Sequence, residues 1–193
     1  MSRRTAFAGL VAALALTACA PPRDGNNPFA HGVEPLCSAT NETMTLIAQS
    51  VQTSTRLPCI AGYPAGWSFL DKDVRRGSTT YWLTSSVVGV GSRPVEIKLV
   101  ASCDPQGERF TDPRAVGADA YRATSATGET NTYVFEGGCV IERIDLPPET
   151  TAPTLIAEAR STLGFLNRRA LAERLETEYG VRLCGAGAAP CEG

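Results

Sequence analysis

Histidine, lysine and closely paired cysteines are what this chain has least of, and each shortage removes a class of chemistry. The 193 residues contain one histidine, His31. That leaves no second imidazole for a zinc site built on histidines and nothing for most nucleophile–histidine triads beyond His31 itself. The seven cysteines include no Cys-x-x-Cys pair, so they do not read as a metal cage, and neither metal nor cofactor is expected. Lys72 and Lys98 are the only lysines, no basic cluster occurs, and the formal net charge is −2. This balance argues against nucleic acid or an anionic membrane face as the main partner. Patterns of the GxSxG, HExxH, Ser-x-x-Lys and P-loop kinds are missing too. Gly89-Val90-Gly91 precedes a strand pattern, whereas a dinucleotide fingerprint needs a helix after its glycines.

Long apolar runs are also lacking. The longest, residues 6–16, falls short of the roughly 20 residues that span a bilayer. It does have the layout of a secretory signal, with Arg3 and Arg4 ahead of it and small residues behind it. Its ending, Leu16-Thr17-Ala18-Cys19, resembles the lipobox of bacterial lipoproteins. That resemblance implies removal of residues 1–18, a diacylglyceryl group on the Cys19 thiol, and acyl chains of the palmitate type holding the mature chain to the membrane. Cys19 is also the odd cysteine among seven, and lipidation would use the thiol that pairing leaves over. Two acyl chains on one residue meet the requirement for stable anchoring. Ser2-Arg3-Arg4 is similar to a twin-arginine export signal, although Phe7 lies one place beyond the position that pattern prefers, so the Sec and twin-arginine routes both stay open.

Residues 19–36 read as the lipidated terminus and a flexible tether, rich in Pro21, Pro22, Gly25, Asn26, Asn27 and Pro28. His31 sits in or beside this tether, where an imidazole is ordinarily solvated. Residues 37–193 are then a single extracytoplasmic domain, long enough to bury a real core. Helical spacing of Met44, Ile47, Ala48 and Val51 predicts a short helix over 42–51, with a strand over 45–55 as the alternative. The prolines and glycines of 57–69 predict irregular backbone, with Trp67 and Phe69 as large apolar plugs. Period-two patterns predict strands over 78–86 and 95–101. A polar connector follows over 104–128 with a short strand near Tyr121, and then a hairpin over 132–144 that turns near Gly137-Gly138. Pro153 at a first helical position and Gly164 at the end bound one C-terminal helix; Asn167 and Gly180 bound another. The expected fold is α+β: a mostly antiparallel sheet of about four or five strands with two C-terminal helices against one face, stapled by disulfides.

Cys37, Cys59, Cys103, Cys139, Cys184 and Cys191 admit many connectivities, and spacing alone does not choose. Cys103 ends one strand pattern and Cys139 begins another, so neighbouring strands would bring them within bridging range. Cys184 and Cys191 flank a pliable Gly/Ala/Pro segment. The expected bridges are therefore 37–59, 103–139 and 184–191.

Three functional readings follow. The first is a non-catalytic envelope lipoprotein that binds or presents a surface to an envelope protein or cell-wall component. The second is a binder of a small sugar or peptide, using Trp67, Tyr81 and Trp82 around a pocket. The third is a cell-wall hydrolase running on carboxylates alone, with Glu96, Glu136, Glu142 and Asp145 as candidates. Charges on the solvated face of a sheet are the ordinary explanation of those four acids. The set Leu57-Pro58-Cys59, Pro64-Ala65-Gly66-Trp67, Ser102-Cys103, Tyr133-Val134-Phe135 with Gly137-Gly138-Cys139, and Leu183-Cys184-Gly185 up to Cys191 resembles uncharacterised actinobacterial envelope lipoproteins. That likeness implies an envelope location and no particular activity.

Overall fold

Alternation of buried and solvent-facing residues along Ser78–Ser85 and Val95–Val100 builds two central strands of a broad antiparallel sheet. The computed structural model describes residues 33–89, 91–150 and 152–186. The signal segment, Cys19, His31, most of the tether and Cys191 lie outside the described residues. In chain order the elements are helix α1 (Glu42–Ser50) and strands β1 (Arg56–Ile60), β2 (Trp67–Arg75), β3 (Ser78–Ser85), β4 (Val95–Val100), β5 (Glu108–Phe110), β6 (Asp119–Thr124), β7 (Gly128–Phe135) and β8 (Gly138–Asp145). Helix α2 (Pro153–Ser161), strand β9 (Leu163–Asn167) and helix α3 (Arg168–Tyr179) complete the described chain.

The large sheet has the order β2-β3-β4-β8-β7-β6-β5, and β1 pairs with β9 in a separate two-stranded sheet. Two meanders thus meet at the β4–β8 pair. The first runs outward-in as β2, β3, β4; the chain then crosses to the far edge and returns as β5, β6, β7, β8. The crossing segment, 101–107, is fastened to one face of the sheet by Cys103–Cys139. The β7–β8 hairpin turns through Glu136 and Gly137, whose φ of 71° and whose approach to the Thr53 carbonyl leave no room for a Cβ. On the inner face Tyr81, Leu83, Val95, Ile97, Leu99, Val140 and Ile144 form a buried layer. Helix α1 covers it with Met44, Ile47 and Ala48, and Leu57, Leu155 and Leu163 fill the remaining space.

The fold is α+β and mostly antiparallel, but larger in strands than the sequence pattern predicts: nine strands in two sheets among the described residues, and three helices. Leu57-Pro58-Cys59-Ile60 is a strand rather than irregular backbone. The Ile60 N–H points away from β9 to the Pro35 carbonyl. Pro58, two residues earlier, turns its hydrogen-less nitrogen to the same side, so it costs the β1–β9 ladder nothing. Trp67 and Phe69 likewise belong to a strand, whose register shifts between Phe69 and Asp71. Gly164 does not end a helix. Helix α2 stops at Ser161, and Gly164 lies in β9 opposite Cys59, where an added Cβ would meet the Cys37 sulfur at 2.6 Å. The two C-terminal helices do not share one face of the large sheet as expected: α2 meets β8 and β9, whereas α3 lies against β9 of the small sheet.

The start of α2 at Pro153 and both ends of α3 follow their sequence signals. Asn41 caps α1 by accepting from the Met44 N–H. Asn167 caps α3 by accepting from Arg169 and Ala170, and Gly180, at φ 66°, closes it. Cys37–Cys59 ties the start of the domain to β1. Cys184 is also disulfide-bonded, and its expected partner, Cys191, lies outside the described residues.

Candidate functional site

Cross-strand register sets a row of side chains on the inner face: Tyr81, Ile97, Glu142, Asn131 and Arg122, taken from β3, β4, β8, β7 and β6. The row begins apolar and ends polar. Glu142 shares its parity with Val140 and Ile144, so the pleat carries its carboxyl into the interior, where it is 0% exposed. Asn131 beside it donates through Nδ2 to Glu142 Oε2 at 3.0 Å and to Glu129 Oε1 at 2.6 Å, one amide serving two carboxylates. Its own carbonyl accepts from Arg122 Nε at 2.8 Å.

Two acids of the cluster then find different counter-charges. Glu129 accepts from Arg160 of α2 through Nε at 2.8 Å and Nη2 at 2.6 Å. Asp112 accepts from Arg114 Nε at 2.9 Å and from the Tyr133 hydroxyl at 2.9 Å. Arg114 also donates from Nη2 to the Tyr133 oxygen at 2.9 Å, and from Nη1 to the carbonyls of Arg160 and Leu163. It therefore straps the C-terminal end of α2 to the 111–118 segment. Glu142 has no such partner: its Oε2 lies 3.5 Å from the Tyr133 hydroxyl, and Oε1 meets no protein donor.

The proton affinities follow these surroundings. Burial pushes the Glu142 carboxyl up to about 7, with Glu129 and Asp112 adding to the rise and Arg114 and Asn131 opposing it. Burial acts upward on Asp112 as well, but the Arg114 guanidinium outweighs it and holds that carboxyl down at about 2. Glu129 is lowered in the same manner, burial being overcome by Arg160 and Asn131. The Tyr133 and Tyr81 hydroxyls are both raised, by burial first and then by the Glu142 charge.

The three aromatic residues singled out as a pocket do not converge. Trp67 lies on the inner face, 5% exposed, with its Nε1 donating to Glu158 Oε2 at 3.3 Å. Tyr81 is fully buried on the same face. Trp82, the next residue of β3, points to the opposite face; its Nε1 donates to Glu96 Oε2 at 3.1 Å, and Arg93 stacks 4.4 Å over its ring. A surface cavity of about 380 Å³ beside the start of α3 is lined by Thr55, Arg56, Glu136, Asn167 and Arg169 among others, and no aromatic side chain lines it.

The four candidate acids are likewise scattered. Glu96 stands on the outer face, Glu136 in the β7–β8 turn, Glu142 in the interior and Asp145 at the exposed end of β8. No two of them face one open cleft, as paired acid chemistry on a sugar requires. The cluster around Glu142 was missed in the sequence except for Glu142 itself. Its signal is parity: Glu129, Asn131 and Tyr133 alternate through β7, and Val140-Glu142-Ile144 shows on which side that set falls. Among the described residues no group of three or more His, Cys, Asp and Glu side chains is arranged to hold a metal, and no helix is long and apolar enough to cross a membrane.

On the outer face the rows are mixed and part-exposed. Trp82, Glu96, Arg143 and Thr130 stand side by side in one, Thr80, Lys98, Ile141, Thr132 and Tyr121 in the next. Compared with known proteins, the chain matches no family model, no curated protein and no solved structure.

Proposed function

We propose that this chain is an extracytoplasmic lipoprotein, anchored by lipid on Cys19, whose domain is a non-catalytic module that binds another component of the cell envelope. The observation that carries the reading is the division between the two faces of the sheet. Glu142, the described carboxyl tuned to exchange a proton near neutrality, is sealed in the core where no substrate atom reaches it. A general acid must reach the atom it protonates. The outer face instead offers solvent a mixed surface in which Trp82, Tyr121 and Ile141 lie among Glu96, Lys98 and Arg143. Aromatic and arginine side chains in such a setting are the groups that dominate binding energy at protein interfaces. A tether of the composition of residues 19–36 would let that face meet a partner near the membrane.

The test is co-purification from membranes after brief cross-linking, with wild-type chain, a Cys19→Ser variant and an outer-face variant carrying Trp82→Ala and Arg143→Glu. A specific partner captured by the wild type and lost in both variants supports the reading. Loss in Cys19→Ser with full retention in the outer-face variant would show that another surface binds. Recovery of the wild type in the soluble fraction, or cleavage of a cell-wall fragment by the purified chain, would overturn it.

A further inference from the structure

We propose that Glu142 is an internal proton-binding site, and that its occupancy sets how firmly α2 and the 111–118 segment are held to the large sheet. The geometry is that of an acid without a counter-charge of its own. Around it stand Tyr81 from β3, the apolar Ile97 from β4, Glu129, Asn131 and Tyr133 from β7, and Arg122 from β6 reached through Asn131. Asp112 and Arg114 face it from the 111–118 segment and Arg160 from α2. Two of these neighbours are acids, and the guanidiniums are already committed: Arg114 to Asp112, Arg160 to Glu129, and Arg122 to Asn131 and Glu129.

With a proton on Glu142 no charge in the cluster lacks its own committed partner, and Arg114 stays where it straps the carbonyls of Arg160 and Leu163 to Asp112. Without the proton, a buried negative charge is left with one shared amide and a 3.5 Å contact to the Tyr133 hydroxyl that Asp112 holds at 2.9 Å, an arrangement that low-dielectric surroundings penalise heavily. Relief comes from Arg114, the cation whose charge acts most strongly on Glu142, or from water admitted along the same side. Either way the strap on the end of α2 is what gives. Burial and the neighbouring acids raise the Glu142 carboxyl to about 7, so the change falls in the range between mildly acidic and mildly alkaline surroundings. The coupling is independent of how the chain is anchored.

Two readouts on the full chain test this. The first is the carbon-13 shift of the Glu142 carboxyl followed by NMR from pH 4 to 9. The second is amide exchange in α2 and 111–118 relative to β4 and β8 amides, corrected for the intrinsic effect of pH. The expected midpoint of the carboxyl is near 7, with opening of α2 and 111–118 rising as pH climbs from about 4.5 and levelling off above about 7. The interval between the ordinary 4.5 and about 7 caps that rise at about 300-fold. Glu142→Gln, which keeps the shape and cannot ionise, should hold α2 closed at pH 8. An ordinary carboxylate midpoint near 4.5 would overturn the proposal. So would an exchange change spread evenly over β4 and β8, or a Glu142→Gln protein that opens with pH as the wild type does. Should that variant not fold, the wild-type titration and its regional exchange decide alone.

Discussion

Replacing Gly164 by alanine should reverse its effect on stability depending on whether the Cys37–Cys59 disulfide across the β1–β9 ladder is present. Gly164 is paired with Cys59 in the β1–β9 ladder, and a Cβ built on it would stand 2.6 Å from the Cys37 sulfur and 3.1 Å from the Ala61 Cβ. The sulfur cannot swing aside, because it is bonded to Cys59, the residue facing Gly164. The backbone of β9 must therefore move, and overpacking of this kind costs about 1–3 kcal/mol. In a chain carrying Cys37→Ala and Cys59→Ala the obstruction is gone and only the tight Ala61 contact remains. Gly→Ala at a position whose backbone angles suit any residue then restricts the unfolded chain, a gain of about 0.5 kcal/mol at most once that contact is allowed for. Urea unfolding of the four members of this cycle measures the coupling, expected at about 1.5 kcal/mol or more. The bridge itself, closing 22 residues, should contribute about 3 kcal/mol, so the background remains foldable only if the rest of the core suffices. Equal losses from Gly164→Ala with and without the bridge would refute the steric account.

Three further outcomes are expected. Cys103→Ala with Cys139→Ala opens a 36-residue loop and should lower unfolding free energy by about 4 kcal/mol, read by urea denaturation; a loss under about 1 kcal/mol would show that the 101–107 crossing holds its place unaided. Asp112 has a folded-state affinity depressed from 3.8 to about 2, so its contribution of about 2 kcal/mol is present above pH 4 and is lost as pH falls through 2. In Asp112→Asn the acid-side slope of stability over that window should flatten, and an unchanged slope would show that other carboxylates carry it. Asn167→Ala removes the acceptor for the Arg169 and Ala170 N–H groups at the start of α3; thermal melting should register a loss of about 1 kcal/mol, which Asn167→Ser should largely restore.

The elements that local chemistry dictates could be read from the sequence. Strands β3 and β4 alternate strictly, β7 and β8 meet at a glycine turn, and Asn167 and Gly180 bound α3 as their side chains and backbone freedom require. What was hidden depends on distant partners. Leu163-Gly164-Phe165-Leu166 continues the apolar stripe of the preceding helix, and only the presence of β1 across from it makes it a strand. Strand β2 breaks its own alternation at the register shift between Phe69 and Asp71, so its pattern does not announce itself. Glu142 was visible as one acid among four, with nothing in the sequence to mark it as buried except its parity with Val140 and Ile144. The Arg114 strap joins residues 46 positions apart or more, a separation that no local pattern encodes.

The meeting of β4 with β8 has a consequence for how the molecule comes together. Strand β4 is complete as soon as the first meander forms, yet its second neighbour, β8, arrives only after three more strands have been made and the chain has doubled back across the sheet. Until then β4 is an open edge of alternating apolar residues, the kind of edge that pairs with whatever strand is nearest. Pairings at such long sequence separation are slow to form. A bond between Cys103 and Cys139 would hold the head of β8 beside the tail of β4 and shorten the search. Oxidising conditions during assembly should thus govern the yield of monomeric product as well as the stability of the finished domain.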